Sequence, residues 1–321
     1  MLTAALIGLG NIAWKYDALK PNAPFALSQA GAMRRHGGII LGGGCSPDAA
    51  DRAGFTAWSG GLPSFADPEE MLVALRPDLV GICSPTPLHF DHARLCLEAG
   101  TRMLWLEKPA TRTLAESDRL LELARQRRST VCVNYFRRYL PAYRRLADVI
   151  RRNEFGACRG LNILYSPGLS RNGVHLLDQI FFLSGALDYE ILWVERDAEA
   201  DNPAFVLRLS TGQLVQGGGG NLPYHSNDIT AVCAEGTLTL LRGGEAANVQ
   251  RRIPDPLFPG FYCLRDDDSG VLGAPSLDDH LQAALADLVD CAAHGKEPQS
   301  SLASAHMTQR LLEEILHKAG A

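Results

Sequence analysis

The sequence predicts an α/β protein of two domains, of which the first is built on a parallel sheet. In this first domain apolar, strand-like runs alternate with helix-like segments, which is the pattern of βαβ units. After residue 134 this alternation ends, and strand-like runs separated by turns follow, which indicates an antiparallel or mixed sheet. The length of 321 residues also exceeds one ordinary hydrophobic core, so two domains are the natural expectation.

Five strand-like runs follow one another in the first domain. They are LTAALIGLGNIA, GGIILGGGCSP, DLVGICSP, RMLWLEKP and STVCVNYF. The last three each follow a helix-like segment, and the right-handed crossovers that join parallel strands place helices on both faces of the sheet. Between the first two strands, Pro21 and Pro24 exclude one regular helix. We therefore expect a short turn there, then a loop, then a helix over residues 26–36.

The second domain begins with the helix-like segment YLPAYRRLADVIRR and the strand-like RGLNILYSPG. A helix starting at Val174 follows, because Val174, Leu177, Ile180 and Phe181 recur at helical spacing. Two helices close the chain, after four strand-like stretches that read YEILWVERDA, AFVLRLSTG, QLVQGGGG and DITAVCAEGTLTLLRGG. The GGGG at 217–220 lacks the GK[ST] that completes a phosphate-binding loop. We interpret it as a hairpin or a flexible turn.

Composition and charge indicate which classes of binding partner the protein is not built for. The net charge is −5, which argues against a dedicated nucleic-acid surface. No apolar run approaches the roughly 20 residues that cross a bilayer, and the N-terminus lacks the basic start of a signal peptide. The eight cysteines include no CxxC pair, and no His/Cys/Asp cluster has the spacing of metal ligands. We expect free thiols, no metal, no membrane partner and a cytoplasmic location.

The stretch Gly8-Leu9-Gly10-Asn11-Ile12-Ala13 fits the G-x-G-x-x-[G/A] fingerprint of dinucleotide binding. Gly8 would allow the tight turn, Gly10 the close approach of a pyrophosphate, and Ala13 the packing of helix on strand. The motif follows a strand at the start of a βαβ series, which is the context it requires. It predicts NAD or NADP as cofactor, with Asn11 and Ile12 beside the phosphates; a structural glycine turn is the alternative.

The end of the second strand bears on the choice between the two cofactors. An acidic residue there binds the adenosine ribose and repels a 2′-phosphate. In this sequence Ser46 stands at that position and Asp48 follows two residues later. Ser46 permits NADP, and Asp48 keeps NAD open.

Lys108 follows the fourth strand, at the carboxyl end where open α/β sheets bind their ligands. Beside a positively charged nicotinamide ring, like-charge repulsion would lower the pKa of this lysine. That would suit Lys108 to move a proton to or from a hydroxyl group. The alternative is an ordinary surface lysine after a strand.

His175 and Asp178 lie three residues apart and share one face of the helix that starts at Val174. The histidine is either a packed helix residue or part of a site. Asp178 would orient its ring or pair elsewhere. Arg171, four residues before the histidine, does not act as a base at neutral pH. It would point to solvent or clamp a substrate carboxylate or phosphate.

Taken together, these segments resemble the glucose–fructose oxidoreductase and inositol dehydrogenase family (Gfo/Idh/MocA). GLGNIA, then CSPTPLHFDHARLCLEAG with EKPA, and then GVHLLDQIFFLSG occur in that family's order, and VNYFRRYLP resembles its crossover between domains. The resemblance covers essentially the whole chain. It implies an N-terminal Rossmann domain over residues 1–134 and a C-terminal α/β domain over 135–321. The second domain would carry a large, mostly antiparallel sheet that commonly forms a dimer or tetramer interface, so a homodimer or homotetramer is expected.

The same resemblance implies roles for individual residues. Lys108 would match the catalytic lysine and His175 the active-site histidine. Glu107 would lie close to the cofactor, and the residues lining the nicotinamide side would be Pro85, Thr86 and His89. The family often carries an aspartate four residues before the histidine, where this sequence has Arg171. Candidates for substrate contact are Arg171, Asn172, Asp178 and Tyr135.

The resulting hypothesis is an NAD(P)-dependent oxidoreductase that interconverts a hydroxyl and a ketone on a sugar, a sugar derivative or a cyclic polyol. Lys108 and His175 would share the proton transfer. Two alternatives stay open. A cofactor-binding sensor or regulator of the same fold would bind the dinucleotide without turnover, and a reductase of a C=N or C=C bond would use the same fold on another substrate.

Overall fold

The computed structural model describes residues 1–195 and 201–320. It divides into two compact units. The first unit comprises Met1–Phe136 and Asp278–Gln309, and the second comprises Arg137–Leu277 and the residues from Arg310 onward. The last residues of the predicted strand YEILWVERDA, 196–198, lie outside the described residues.

The N-terminal part alternates strands and helices as predicted. In chain order its elements are β1 (Leu2–Ile7), α1 (Tyr16–Leu19), α2 (Gln29–Arg35), β2 (Ile39–Cys45), α3 (Ala49–Ser59), β3 (Ser64–Phe65), α4 (Pro68–Leu75), β4 (Leu79–Ile82), α5 (His89–Glu98), β5 (Met103–Leu106), α6 (Leu114–Arg127) and β6 (Thr130–Val133). The crossover after β1 consists of a helical turn that runs into the short helix α1, a loop that contains Pro21 and Pro24, and the helix α2, so the two prolines interrupt it as expected.

The remaining elements are α7 (Pro141–Arg151), β7 (Cys158–Ser166), α8 (Val174–Ser184), β8 (Tyr189–Val194), β9 (Phe205–Leu209), β10 (Leu214–Gly219), β11 (Ser226–Cys233), β12 (Gly236–Leu241), β13 (Ala246–Pro254), β14 (Tyr262–Asp266), α9 (His280–His294) and α10 (Leu302–Ala319). Helix α8 begins at Val174, as the spacing predicts. Among the described residues, no helix has both the length and the apolar character needed to cross a membrane.

A six-stranded parallel sheet forms the first unit, in the order β3-β2-β1-β4-β5-β6. This is the strand order of a dinucleotide-binding α/β fold, and it confirms the predicted Rossmann fold. The central strands β4 and β5 are buried along their whole length, as expected of strands covered on both faces. The carboxyl ends of β1, β2, β4 and β5 therefore meet along one edge of the sheet.

Helix α9 returns to this first unit. It contacts β5, β6 and α2, and its buried face carries Leu281, Leu285 and Leu288. The backbone N–H of Val133 at the end of β6 donates to the carbonyl of Ser300 at 2.9 Å. The structure thus places residues 278–309 in the first unit, whereas the sequence analysis assigned all of 135–321 to the second domain. The reason is that residues from the C-terminal part of the sequence, Ser300 and Ser301, pair with the outer strand β6.

The second unit is built on an eight-stranded sheet, in the order β14-β13-β12-β11-β7-β10-β9-β8. All its strand pairs are antiparallel except β7 with β10. This confirms the predicted mostly antiparallel sheet. Along β7, Leu161, Ile163 and Tyr165 are buried while the residues between them are exposed, and α8 packs on β7 and β11. The core of this unit lies between that face and α7 with α8.

The interpretation of GGGG as a hairpin or flexible turn is wrong, because Gly217 and Gly219 lie within β10. A side-chain carbon at Gly217 would overlap the ring of Phe205. One at Gly219 would lie 2.7 Å from the ring of Tyr165. Glycine is needed here because aromatic rings lie directly on the backbone of the strand, and periodicity alone does not reveal such a contact.

Candidate active site

The glycine motif forms a turn that only glycine permits at Gly8. Its φ is +88°, and a Cβ there would lie 2.5 Å from the backbone nitrogen of Ser84 at the end of β4. At Gly10 the surroundings differ, since a Cβ would meet no atom within 4 Å. A helical turn of π type follows from Asn11 to Lys15, and no side chain caps its first amides. This combination fits a dinucleotide, because there is room at Gly10 and the amides behind it can bind phosphate.

The end of β2 places Ser46 and Asp48 in different surroundings. Ser46 is buried, and its hydroxyl accepts from the N–H of Asp48 at 3.3 Å. The carboxylate of Asp48 caps α3, accepting from the N–H groups of Ala50 at 2.7 Å and Asp51 at 3.1 Å, and these hydrogen bonds lower its pKa. The Nη1 of Arg52 donates to the carbonyl of Ser46 at 2.8 Å. A guanidinium therefore lies against the strand end while the nearby carboxylate serves as a helix cap.

Glu107, directly after β5, is held by two side-chain amides. Its Oε1 accepts from Nε2 of Gln29 at 2.9 Å and from Nδ2 of Asn134 at 2.7 Å. Burial raises the pKa of Glu107, and these two hydrogen bonds oppose that effect. Neither partner was predicted from the sequence. Gln29 is a wholly buried amide on an otherwise apolar helix face, and that isolated polar residue was the available signal.

Lys108 is partly exposed and follows the anchored Glu107 at the carboxyl edge of the sheet. The peptide bond between Lys108 and Pro109 is cis. Gly8, the end of β4 and Lys108 thus share one edge, as the order of the strands requires. The structure brings together the predicted lysine and the predicted glycine turn within one unit.

The segment after β4 divides into exposed and buried parts. Pro85 is exposed and Thr86 is partly exposed, at the start of a short turn before α5. His89 is 1% exposed, and both of its ring nitrogens lie against backbone carbonyls. The resemblance implied that all three line the nicotinamide side. The structure places Pro85 and Thr86 at the surface and directs the ring of His89 to the backbone.

In the second unit His175 lies on α8, whose residues are all buried. The histidine itself is 6% exposed. A π-type turn, Gly168–Gly173, leads into the helix. A Cβ at Gly173 would lie 2.9 Å from the ring of Tyr165, so the glycine lets the turn pack closely on β7. This packing fixes where α8 begins and therefore where His175 is held.

Asp178 forms a buried ion pair with Arg138. The Nε of Arg138 lies 2.9 Å from Oδ2 and 3.1 Å from Oδ1, and its Nη2 lies 2.8 Å from Oδ1. The two side chains are 7% and 0% exposed. Of the two roles considered for Asp178, this geometry supports pairing elsewhere. Arg138 was missed, although a single carboxylate on a wholly buried helix requires a cationic partner.

The other substrate candidates are distributed over both units. In the second unit Nδ2 of Asn172 donates to the carbonyls of Ser166 at 2.6 Å and Ser226 at 2.8 Å, which ties the turn before α8 to β7 and β11. Arg171, next to it, is exposed. Tyr135 belongs to the first unit and is 1% exposed. The structure shows that Asn172 anchors this turn to the sheet and that Arg171 is an exposed residue.

Comparison with known proteins agrees with this geometry. Residues 2–135 match the model of the GFO_IDH_MocA family, described as an oxidoreductase family with an NAD-binding Rossmann fold. D-Glucoside 3-dehydrogenase of Escherichia coli (strain K12) is 26% identical over 145 residues, which is 39% of this chain and 41% of that enzyme. UDP-N-acetylglucosamine 3-dehydrogenase of Acidithiobacillus ferrooxidans is 30% identical over 118 residues, 37% of this chain and 36% of that enzyme. The chain thus matches only about two fifths of the length of these curated relatives.

Solved structures extend the likeness of fold to the whole chain. The A. ferrooxidans enzyme superposes with a TM-score of 0.73 at 19% identity, covering 99% of this chain and 97% of that one. A 3-ketoreductase of Actinomadura kijaniata, solved with TDP-benzene and NADP, superposes with a TM-score of 0.76 at 19% identity, with coverage of 99% and 97%. At this level of identity these superpositions show the fold alone.

Proposed function

Because residues 2–135 belong to the Gfo/Idh/MocA family of oxidoreductases, with its NAD-binding Rossmann fold, we propose that the whole chain is an NAD(P)-dependent dehydrogenase or reductase acting on a sugar. It interconverts a hydroxyl and a ketone on a sugar, a sugar derivative or a cyclic polyol. The observation that carries this proposal is the position of Lys108, which shares the carboxyl edge of the sheet with the open glycine turn. The names of the relatives favour carbon 3 of a hexose ring as the reacting position.

The protein's part in the reaction is binding, orientation and proton transfer. When bound, the cofactor supplies the nicotinamide C4 that accepts or donates the hydride. The amides that follow Gly10 hold its phosphates. Lys108 takes the proton from the substrate hydroxyl in one direction and returns it in the other. His175 hydrogen-bonds the reacting oxygen of the substrate and shares in the proton transfer.

Anchoring residues keep these groups in place. Glu107, fixed by Gln29 and Asn134, holds the strand end from which Lys108 projects. The ion pair between Asp178 and Arg138 does the same for the helix that carries His175. Such restraint matters, because a displacement of about 1 Å at a reacting group costs on the order of 100-fold in rate.

The test begins with fluorescence titrations of NADH and NADPH. Tight binding of either supports the dinucleotide site, and the preferred one is then used with a panel of glucosides, nucleotide sugars and cyclic polyols. We expect Lys108→Ala to lower kcat by about 10²–10⁴-fold, as for other general acid–base groups, while the Kd of the cofactor stays within about twofold. His175→Ala should lower kcat less, with the same cofactor affinity. Nearly intact turnover in Lys108→Ala would contradict the proposed mechanism.

A cofactor-binding sensor or regulator is the second candidate, and Arg171 favours it by standing where the family often has an aspartate. This candidate predicts tight NAD(P)H binding without turnover on any member of the panel. A reductase of a C=N or C=C bond would turn over only imines or conjugated ketones. The homodimer or homotetramer stays a prediction that light scattering of the purified protein tests.

A further inference from the structure

The ring of His89 links two strand ends at the carboxyl edge of the sheet. Its Nε2 lies 2.7 Å from the carbonyl oxygen of Ser84, which follows β4. Its Nδ1 lies 2.8 Å from the carbonyl oxygen of Pro109, the residue after Lys108. The side chain is almost wholly buried, so these two carbonyls are its principal polar surroundings. Dinucleotide binding does not explain this arrangement.

The number of hydrogen-bond donors on the ring indicates which protonation state of His89 fits two carbonyl acceptors. A carbonyl oxygen only accepts, and a neutral imidazole has only one N–H. Two carbonyls at 2.7 and 2.8 Å therefore match a ring with an N–H on each nitrogen, and both distances are those of charge-assisted hydrogen bonds. In a neutral ring, one nitrogen lone pair would face a carbonyl oxygen across a short, buried contact, which costs free energy.

The surroundings of His89 both raise and lower its pKa. The pKa of His89 lies below its ordinary value, because burial lowers it, the carbonyls of Pro109 and Ser84 only partly oppose that shift, and the nearby cation Lys108 adds to it. Two titratable groups interact electrostatically with the ring, Lys108 from the end of β5 and His92 from the same helix. Cys83, at the end of β4, has a raised pKa through burial and the charge of Glu107. Both carbonyls are held by the chain that follows β4 and β5, so the ring donates to both of them only as the imidazolium.

We propose that His89 is a positioning residue for Lys108. The doubly protonated ring of His89 links the end of β4 to the Lys108–Pro109 turn by a hydrogen bond to each. This rests on the proposed role of Lys108 in proton transfer. The imidazolium holds the turn by two hydrogen bonds, and loss of one proton as pH rises releases one of them. Because the two cations are coupled, a proton on His89 also disfavours a proton on Lys108, which keeps the amine in the form that accepts a proton.

Two measurements on the apo protein test this without any substrate. The first is ¹⁵N NMR of labelled histidine rings, with the His89 signals assigned by through-bond correlation to its backbone resonances. We expect both nitrogens of His89 to carry protons at pH 6. The second is the rate at which an amine-specific reagent modifies Lys108, followed by peptide mass at several pH values.

The matched variants are His89→Gln and His92→Gln. His92 lies on the same helix, and its Nδ1 meets the side-chain hydroxyl of Ser84 at 2.9 Å, so this variant alters a nearby histidine that does not bind the two carbonyls. Removing the cation at His89 should raise the pKa of Lys108 by about 0.5–1 unit, slowing its labelling by about 3–10-fold at pH 6, where we expect His89 to carry both protons. His92→Gln should leave that rate within about twofold.

A neutral His89 ring at pH 6 in the unaltered protein would overturn the proposal, even if His89→Gln fails to fold. So would unchanged labelling of Lys108 in a folded His89→Gln protein. Since neither measurement uses turnover, failure of the proposed function remains separate. If Lys108→Ala keeps its activity while both results hold, the catalytic role of Lys108 is wrong and the coupling between the two residues stands.

Discussion

Removing the carboxylate of Asp178 should destabilise the second unit by about 3–5 kcal/mol, the usual cost of leaving one member of a buried ion pair without its partner. The geometry of the pair between Asp178 and Arg138 favours the upper part of this range. Three contacts of 2.8–3.1 Å join it, and the side chains are only 7% and 0% exposed. In Asp178→Asn the guanidinium of Arg138 would remain buried after losing the carboxylate that it pairs with. Replacing both residues, Arg138→Met with Asp178→Leu, should recover most of the loss, because no buried charge remains.

The assay is urea unfolding followed by fluorescence, combined with hydrogen–deuterium exchange of the peptide that covers α8. Exchange is needed because the chain has two units and one unfolding midpoint does not report on each of them. Asp178→Asn should accelerate exchange in α8 and leave β1 and β4 unchanged. The matched control is Glu122→Gln, which removes a carboxylate from an ion pair with Arg125 whose side chains are 50% and 75% exposed, and which should change neither measurement.

The outcome that would refute this reasoning is a folded Asp178→Asn protein with unchanged α8 exchange and a kcat lowered 100-fold or more. That result would assign Asp178 to the chemistry or to orienting His175, as the alternative from the sequence holds. If the double replacement instead keeps the fold and the turnover, the pair is a structural anchor.

Three further expectations follow from single sites. Gly10→Ala should weaken NADH or NADPH binding at least about tenfold in a fluorescence titration with no change in the urea midpoint, since the added carbon meets no protein atom but lies where a pyrophosphate approaches. Gly217→Ala should cost on the order of 1–3 kcal/mol in urea unfolding because its methyl overlaps Phe205, whereas Gly218→Ala next to it, with open space, should be neutral. The raised pKa of Glu107 means that its contribution to stability is present below its ordinary value of 4.5 and lost as pH rises through its folded pKa. Glu107→Gln should therefore flatten the fall of the urea midpoint above pH 4.5; an equally steep fall in the variant would count against this assignment.

Local patterns in the sequence were sufficient for the architecture and for part of the site. Apolar periodicity predicts the alternating strands and helices, because it records which faces of each element are buried. The glycine motif and the lysine after a strand predict one edge of the parallel sheet, because chain order determines where the carboxyl ends of parallel strands meet. The start of α8 at Val174 followed from helical spacing alone.

Partnerships across long sequence separations required the tertiary structure. Arg138 and Asp178 are forty positions apart, and Gln29 and Glu107 are seventy-eight positions apart. The local sequence does not reveal which strands are neighbours. A polar residue in an apolar segment therefore indicates that a hydrogen-bond partner is needed, but it does not identify that partner.

The same limit explains the remaining differences. The GGGG run reads locally as a turn, yet its first three glycines lie in β10, where the rings of Phe205 and Tyr165 occupy the space that side chains would fill. That the segment containing His89 lines the nicotinamide side stays a prediction, whereas the two backbone carbonyls that its ring nitrogens meet became visible only in the fold. The sequence by itself determined the elements, their order and the glycine turn, since these depend on backbone period and φ. Only the tertiary structure decided which polar group each buried side chain meets, since that depends on strands brought together across the whole chain.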